Sequence, residues 1–379
     1  MSERQRANHG CVPGDGTRVV RAGLPPAVPG QPFLPGPVFA APYHLDPATG
    51  PVPGRDGYGR TDNPTWRALE SAIGDLEGGE CVVFSSGMAA ITAVLLTVLR
   101  PGDTVVLPAD GYYRTRALAA QTLAGLGVTV REVPTAGRYP PFDGVALVLL
   151  ETPANPGLDV CDIAALASVA HGAGALVAVD STTATPLGQQ PLALGADLVV
   201  ASGTKALTGH SDLVLGYVAG PALDPIRNWR NGTGAVPGPF ETWLAHRSLS
   251  TLDLRLARQS ATAAAVADLL ATRPEVGSVR WPGRPADPAY PVASRQMRRI
   301  PGIVTFTLPD AAHVARFLGA TRLVGAATSF GGPHTTADRR AQWGDPVPDG
   351  LVRLSCGLED TADVVADLTA ALDTAAGSG

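Results

Sequence analysis

Short, continuously apolar runs recur along the middle of the chain, and helical patterns separate them. The runs predict strands at 81–84, 104–107, 128–133, 145–150, 175–179, 198–202 and 213–219. Strands that are apolar on both faces and alternate with helices indicate a mainly parallel sheet covered by helices on both sides. The predicted fold class is therefore α/β, with one large sheet of the seven-stranded type.

The regions before and after this pattern predict a three-part organisation. Residues 1–60 are rich in Gly and Pro and predict an extended N-terminal arm. A large domain follows over 61–240, and its first helix begins after Asn63, a favourable N-cap residue. A smaller α+β domain is expected over 241–379. Its predicted elements are a long helical stretch over 239–272, strands near 276–281, 303–308 and 351–355, and a final helix from about residue 360.

Composition and charge exclude several classes of protein. The chain has 379 residues, 45% apolar and 17% charged, with a formal net charge of −5. It has no basic stretch of the kind that binds nucleic acid, and its longest apolar run, at 88–99, is too short to span a bilayer. The N-terminal MSERQRANHG lacks a signal-peptide core, and four scattered cysteines favour reduced thiols. A cytoplasmic protein with a small-molecule partner, and neither nucleic acid nor membrane, is expected.

Polar residues with catalytic potential follow the predicted strands, where the parallel strands end. Gly87 and Met88 open a helix, and the free amides of a helix N-terminus suit a phosphate. The hydroxyls of Ser202 and Thr204 can donate to the same anion. Lys205 stands beside them and is an amine able to form a Schiff base.

Asp180 ends another predicted strand, where its carboxylate can hold a heterocyclic nitrogen protonated. Such a pair ~4 Å apart interacts by roughly 4 kcal/mol at an effective dielectric of about 20. A phosphate site, an aldehyde-accepting lysine and a pyridinium partner are the requirements of pyridoxal 5′-phosphate. Each residue alone is as well explained by a turn or a cap, but together they predict a site for this cofactor. His210 and Asp212 lack a third ligand at useful spacing, so no metal is expected.

Six motifs connect the chain with a known family. They are YGRTDNPTWRALE (58–70), FSSGMAAI (84–91), ETPANPGLDV (151–160), VAVDSTTATP (177–186), SGTKALTGHSD (202–212) and VRLSCGLED (352–360). In this order they resemble the cystathionine γ-lyase, cystathionine γ-synthase and methionine γ-lyase family of fold-type I pyridoxal-phosphate enzymes. The resemblance spans about residues 55–360 and implies a homotetramer, a dimer of dimers with sites at the dimer interface.

The resemblance also implies a role for each matched residue around the cofactor. Lys205 would carry the Schiff base and move protons, Asp180 would pair with the pyridinium nitrogen, and Tyr112 would stack on the ring. The phosphate ligands would be Gly87, Met88, Ser202 and Thr204. Tyr58 and Arg60 would reach the phosphate in the neighbouring subunit.

The substrate contacts implied by the resemblance include two departures from the family pattern. Arg353 would bind the substrate carboxylate in bidentate geometry, with Ser329 and Asn155 lining the same pocket. Thr328 stands where an acidic residue, associated with the distal amino group of cystathionine, is usual. Arg114 is a candidate ligand for the distal carboxylate of cystathionine, and the alternative is a surface arginine.

The function implied is that of a carbon–sulfur lyase: γ-elimination of cystathionine or a related thioether amino acid to a thiol amino acid, 2-oxobutyrate and ammonia. γ-Replacement, by a cystathionine γ-synthase or an O-acylhomoserine sulfhydrylase, uses the same machinery and remains the alternative. A regulatory or scaffolding protein of this fold with little turnover is disfavoured because the catalytic residues are retained. A nicotinamide dehydrogenase is also disfavoured, since the glycines of HGAGALVAVD (171–180) precede a strand and do not follow one.

Overall fold

The structure is a computed structural model that describes residues 13–376. The segment MSERQRANHG, on which the signal-peptide prediction depends, lies outside the described residues, as does Cys11. The larger of two sheets consists of β1 (Glu80–Phe84), β2 (Thr104–Pro108), β3 (Thr129–Val133), β4 (Val145–Glu151), β5 (Leu176–Asp180), β6 (Leu198–Ala201) and β7 (Gly216–Gly220).

The strand order across this sheet is β1-β7-β6-β5-β4-β2-β3. β7 is antiparallel to both of its neighbours, and the other pairs are parallel. The prediction of an α/β fold with a mainly parallel, seven-stranded sheet is therefore confirmed.

β7 begins three residues later than the apolar pattern predicts, at Gly216 and not at Leu213. The reason is local hydrogen bonding by Leu215. Its amide donates to the Thr204 hydroxyl at 3.0 Å, and its carbonyl accepts from the Thr204 amide at 3.2 Å. These bonds occupy the groups that a strand would use for pairing, so residues 213–215 form a loop next to Lys205.

Helices cover both faces of the larger sheet. They are α2 (Pro64–Glu77), α3 (Gly87–Val98), α4 (Tyr113–Leu118), α5 (Ile163–Gly172), α6 (Thr185–Gly188) and α7 (Asp224–Thr233), with a π-helical turn over Ala119–Leu123 and 3-10 turns over Ala124–Leu126 and Leu192–Leu194. Successive strand residues face opposite sides. Val82 belongs to the apolar cluster that contains α3 and α7, whereas Val83 belongs to the cluster that contains α2.

A second, smaller sheet lies in the C-terminal part. The strands of this sheet are β8 (Val279–Arg280), β9 (Ile303–Thr307), β10 (Gly325–Ala326), β11 (Thr336–Arg339) and β12 (Leu351–Ser355). The helices of the same part are α8 (Pro239–Leu249), α9 (Leu252–Ala271), α10 (Tyr290–Gln296), α11 (Ala311–Ala320) and α12 (Thr361–Ala376), with a 3-10 turn over Arg340–Trp343. The order is β10-β11-β12-β9-β8. The helical stretch predicted over 239–272 is two helices. β10 and β11 were not predicted, since they are short and carry polar or small residues.

α9 belongs to the cores of both parts. Leu252 and Leu256, in its first half, pack into the apolar cluster of α2 and α8. Ala263 and Leu270, in its second half, pack into the core of the smaller sheet. The packing therefore changes within α9, about 20 residues after the predicted domain boundary at 240/241. None of the helices within residues 13–376 is both long and apolar enough to cross a bilayer.

The sequence predicts an extended N-terminal arm, but the structure shows that part of the arm is helical. Residues Asp15–Arg21 form a helix, α1, in which Val19 is buried against the main core. The high Gly and Pro content of the surrounding residues conceals this helix of seven residues, about two turns. From 22 to 60 the arm crosses the surface with isolated bridges as its only pairing, and Phe33 and Phe39 are 86% and 71% exposed.

Candidate active site

The carboxyl ends of the central strands meet at one edge of the larger sheet. Glu151 at the end of β4 pairs with Asp180 at the end of β5, and Asp180 pairs with Val200 two residues before Ser202. A cavity of about 360 Å³ opens there. The predicted site residues that line it are Gly87, Met88, Tyr112, Asn155, Asp180, Ser202, Thr204, Lys205, Thr328, Ser329 and Arg353.

The N-terminus of α3 forms one end of the cavity. Ser86 caps the helix by accepting the Ala89 amide at 3.1 Å, whereas the amides of Gly87 and Met88 have no acceptor among residues 13–376. A Cβ on Gly87 would lie 2.6 Å from the Ser202 Cβ, so only glycine permits this approach. Free amides at a helix N-terminus next to a serine hydroxyl are a suitable anion site.

Thr204 differs from the other three predicted phosphate ligands. Its hydroxyl donates to the Leu215 carbonyl at 3.1 Å and accepts from the Leu215 amide. The same hydroxyl therefore braces the loop of residues 213–215, and it would have to rotate before it donated to an anion. The Ser202 hydroxyl makes no hydrogen bond within the described residues, and only the Ser202 amide donates to the Thr182 hydroxyl.

Lys205 follows β6 in a turn that carries its side chain into the cavity. Its ammonium lies 5.6 Å from the centre of the Phe330 ring, and it has no hydrogen-bond or ion-pair partner in the described part of the chain. Burial, together with the positive charge of Arg353, lowers the pKa of Lys205, which Asp180 partly opposes. A desolvated lysine with a lowered pKa is a better nucleophile and proton acceptor.

Asp180 is buried with its charge only partly compensated. One carboxylate oxygen accepts the Thr182 amide at 2.9 Å, and the other has no partner among the described residues. Burial raises the pKa of Asp180, although Thr182 and Lys205 oppose the shift. A cationic ring nitrogen next to the free oxygen would stabilise the ionised carboxylate.

Glu151 supports the residues around it. Its carboxylate accepts the Tyr112 amide at 2.7 Å and the Asn155 amide at 2.9 Å, so it fixes two cavity residues from behind. Burial and the nearby Asp180 raise the pKa of Glu151. These contacts give Glu151 a structural role at the edge of the cavity.

Arg353 lies on β12, and its side chain lines the cavity. It is 3% exposed and donates to the Asn155 side chain at 2.6 Å, the Ser329 carbonyl at 3.0 Å and Asp338 at 3.3 Å. Its Nε is buried without a partner in the described residues. Ser329 adopts a positive φ of 77°, a conformation that costs of order 1–3 kcal/mol for a residue with a side chain. Ser329 and Arg353 both line the cavity at the end where a carboxylate would be bound.

Sequence reasoning missed a buried ionic cluster behind Arg353. Arg340 donates to both Asp338 and Asp345, and Trp343 donates its indole N–H to Asp338 at 2.9 Å. Arg340 and Trp343 also line the cavity. The signal available was the density of charge in TADRRAQWGD (336–345), which resembles an ordinary solvated loop.

Three predicted residues do not line the cavity. The Arg114 guanidinium lies 5.0 Å from the centre of the Tyr113 ring and outside the cavity lining, so the geometry does not support its predicted contact with substrate. Tyr58 is 48% exposed, and Arg60 donates to the Asn231 carbonyl at 2.6 Å. Their predicted contact is with a neighbouring subunit, so it stays a prediction.

The donor set of the cavity fits pyridoxal 5′-phosphate. Two unpaired amides and the Ser202 hydroxyl match a phosphate. Lys205 matches the aldehyde, and the free oxygen of Asp180 matches the ring nitrogen. The unpaired Nε of Arg353 leaves a donor for the carboxylate of an amino acid.

Comparisons with known proteins agree with this donor set. The family model described as Cys/Met metabolism PLP-dependent enzyme matches residues 50–373. A Streptomyces coelicolor protein named "Putative cystathionine gamma-lyase" is 58% identical over 375 residues, covering 96% of this chain and 94% of that protein. Cystathionine gamma-synthase of Mycobacterium tuberculosis is 40% identical, covering 98% of this chain and 100% of its own.

Solved structures show the same likeness. The crystal structure of cystathionine gamma synthase from Xanthomonas oryzae pv. oryzae, in complex with aminoacrylate and cysteine, superposes with a TM-score of 0.91 at 32% identity. The match covers 97% of this chain and all of that one. This chain therefore belongs to the Cys/Met metabolism family of pyridoxal-phosphate-dependent enzymes.

Proposed function

We propose that the enzyme catalyses γ-elimination of cystathionine or a related thioether amino acid, which together with one water gives a thiol amino acid, 2-oxobutyrate and ammonia. The observation that carries the proposal is the placement of an unpartnered lysine, Lys205, in one cavity with a buried arginine, Arg353, that has a donor to spare. The 58% identity with the Streptomyces coelicolor protein supports a lyase in particular.

The chain's own residues would divide the work as follows. When bound, pyridoxal phosphate supplies an electron sink for the charge that develops at the substrate Cα. Arg353 would hold the α-carboxylate, and Asn155 and Ser329 would hold Arg353. Lys205 would remove the Cα proton and then move a proton at Cβ, which its lowered pKa favours. Tyr112, fixed through its amide by Glu151, would face the ring and the departing sulfur.

Product analysis tests the reaction. The purified enzyme is given cystathionine, homocysteine, methionine, cysteine or an O-acylhomoserine, with and without added thiol, and the 2-oxo acid and amino-acid products are identified. 2-Oxobutyrate from cystathionine without a second substrate supports the lyase. A product that forms only when a thiol is supplied with an O-acylhomoserine would contradict the lyase proposal. It would indicate γ-replacement, the reaction of the relatives named synthases.

Lys205→Ala provides the test of the central residue. We expect this variant to bind the cofactor through the phosphate contacts but to lose nearly all turnover, because general acid–base loss alone costs typically ~10²–10⁴-fold. Near-normal turnover would show that the chemistry lies elsewhere.

We further propose a homotetramer, a dimer of dimers in the cytoplasm, in which Tyr58 and Arg60 complete the neighbouring subunit's site. The exposed Phe33 and Phe39 on the arm support an oligomeric contact. The buried, unpaired Cys81, Cys161 and Cys356 are consistent with a reducing compartment.

Subunit mixing tests the shared site. Lys205→Ala and Arg60→Ala proteins are each expected to be weakly active. Refolded together, they should regain part of the activity, because one of the two sites in a mixed dimer carries neither change. No recovery, or a monomer by light scattering, would contradict the shared site.

A further inference from the structure

Two buried polar side chains on α9 point at the active site from behind. Arg255 and Gln259 are four residues apart, so they lie on the same face of the helix. They are 4% and 1% exposed. Neither lines the cavity, and neither belongs to the apolar clusters into which α9 packs.

Arg255 hydrogen-bonds to the turn that carries Lys205, residues 203–209, which we term the lysine turn. Its Nη1 donates to the Ala206 carbonyl at 2.7 Å, and its Nη2 donates to the Leu207 carbonyl at 3.0 Å. These carbonyls belong to the two residues that follow Lys205. A Cβ on Gly209 would overlap the guanidinium, so the turn closes directly onto Arg255.

Arg255 also has an unusual set of acceptors. Its remaining bonds go to the Ser248 carbonyl and the Thr251 hydroxyl, and no carboxylate lies within ion-pair distance in the described residues. Burial lowers the pKa of Arg255 to about 10. A buried charge satisfied by four fixed oxygens is a costly arrangement, and it requires the lysine turn to keep its place.

Gln259 holds a second segment, residues 328–332, which we term the clamp loop. Its amide donates to the Gly332 carbonyl at 2.9 Å and weakly to the Gly331 carbonyl at 3.4 Å. The clamp loop contains Ser329, whose carbonyl accepts from Arg353.

The clamp loop also meets the lysine turn directly. A Cβ on Gly331 would lie 2.5 Å from the Ala206 nitrogen, and Gly331 has a positive φ of 79°. The Phe330 ring lies near both Lys205 and Arg353, at 5.6 and 5.3 Å from their charged groups. The two segments therefore form one unit with α9 behind them.

We propose that Arg255 and Gln259 are positioning residues that set the location of the Lys205 amine relative to the Arg353 clamp. α9 is suited to this because its two halves belong to the cores of the two parts of the molecule. Arg255 fixes the proton-transfer group and Gln259 fixes the carboxylate site. The inference rests on the proposed roles of Lys205 and Arg353.

The test compares Arg255→Lys, Gln259→Leu and a control, Arg258→Met, all as holoenzymes. Arg258 lies on the same helix but pairs with Asp360 at the surface, with its side chain 45% exposed. A lysine at 255 keeps the charge but cannot span the four acceptors. We expect Arg255→Lys to lower kcat about 10- to 100-fold with KM within about threefold, because ~1 Å of misplacement can cost ~10²-fold.

Gln259→Leu is expected to raise KM about fivefold or more with kcat nearly unchanged, since it frees the carboxylate site and leaves the lysine turn in place. The absorbance of the bound cofactor, titrated with pH, gives a readout apart from activity. Its midpoint should shift by about half a pH unit or more in Arg255→Lys and remain in place in Arg258→Met.

Three results would overturn the inference. They are wild-type kinetics in both α9 variants, equal changes of kcat and KM in both, or an unshifted absorbance midpoint in Arg255→Lys. If Arg255→Lys does not fold, an unchanged KM in Gln259→Leu overturns it alone. Failure of the proposed function would show differently, as turnover retained by Lys205→Ala.

Discussion

Replacement of Glu77 by Gln is expected to change the pH dependence of stability. Glu77 ends α2 and is 1% exposed. Its Oε1 accepts the Tyr217 hydroxyl at 2.6 Å, and its Oε2 is buried without a partner in the described residues. Burial raises the pKa of Glu77 to about 7, from an ordinary value of 4.5, and the Tyr217 hydrogen bond offsets only part of that.

Proton linkage gives the sign and size of the effect of Glu77 on the free energy of unfolding. Because the folded pKa of Glu77 is raised, the folded state binds the proton more tightly than the unfolded chain. The stability from this group is complete below about pH 4.5 and is lost as pH rises through about 7. The shift corresponds to about 3 kcal/mol, an order-of-magnitude figure. Gln cannot ionise, but it places an unpaired N–H₂ near the Oε2 position, at a cost of about 1–3 kcal/mol.

Urea unfolding of the holoenzyme at pH 5 and pH 8.5 measures the effect. Glu77→Gln should be less stable than the wild type at pH 5, and should gain about 2–3 kcal/mol relative to it by pH 8.5. Glu132→Gln, at an exposed position, is the control and should track the wild type at both pH values. A Glu77→Gln difference that is the same at the two pH values would show that Glu77 does not titrate between them.

Three further predictions concern the cavity and the residues around it. Gly87→Ala should weaken cofactor affinity at least tenfold in equilibrium dialysis, because its Cβ would lie 2.6 Å from Ser202; unchanged affinity would remove Gly87 from the phosphate site. Thr328→Glu should lower KM for cystathionine more than for homocysteine, by roughly tenfold or more, since it supplies a charged partner for the distal ammonium. Arg114→Ala should shift both substrates equally, because Arg114 lies on Tyr113 and not in the cavity lining; a selective rise in KM for cystathionine would restore the sequence-based assignment.

The larger sheet and its ligand-facing edge could be predicted because their signals are local. Apolar runs mark buried strands, and the residues that follow β4, β5 and β6 must meet at one edge of a parallel sheet. Lys205 and Asp180 were therefore brought together by topology alone. The start of β7 was predicted three residues too early, because Leu215 is apolar but hydrogen-bonds to Thr204, a contact that periodicity does not encode.

The substrate end of the cavity was harder to predict, because it is built by the second sheet. Asp338 on β11 and Arg353 on β12 are cross-strand partners, 15 residues apart in sequence. In the sequence, Asp338 looks like a solvated residue of a short polar strand until its partner Arg353 is known. Arg340 and Trp343, which also bind Asp338, therefore could not be recognised as part of the site. The contact predicted for Arg114 stays a prediction: its position in the motif suggested a substrate ligand, whereas its guanidinium lies 5.0 Å from the centre of the Tyr113 ring and outside the cavity lining.

The arrangement behind Arg353 has a consequence for specificity. Acidic side chains lining the cavity are Glu151 and Asp180, and the first is occupied by backbone amides while the second faces Lys205. Asp338 and Asp345 are paired with buried arginines. The described residues therefore leave no free carboxylate at the substrate end, where Thr328, Tyr113 and Trp343 line the wall. The distal ammonium of cystathionine would meet aromatic and hydroxyl surface there, so we expect a higher KM for cystathionine than in a relative that carries an acidic residue at the position of Thr328.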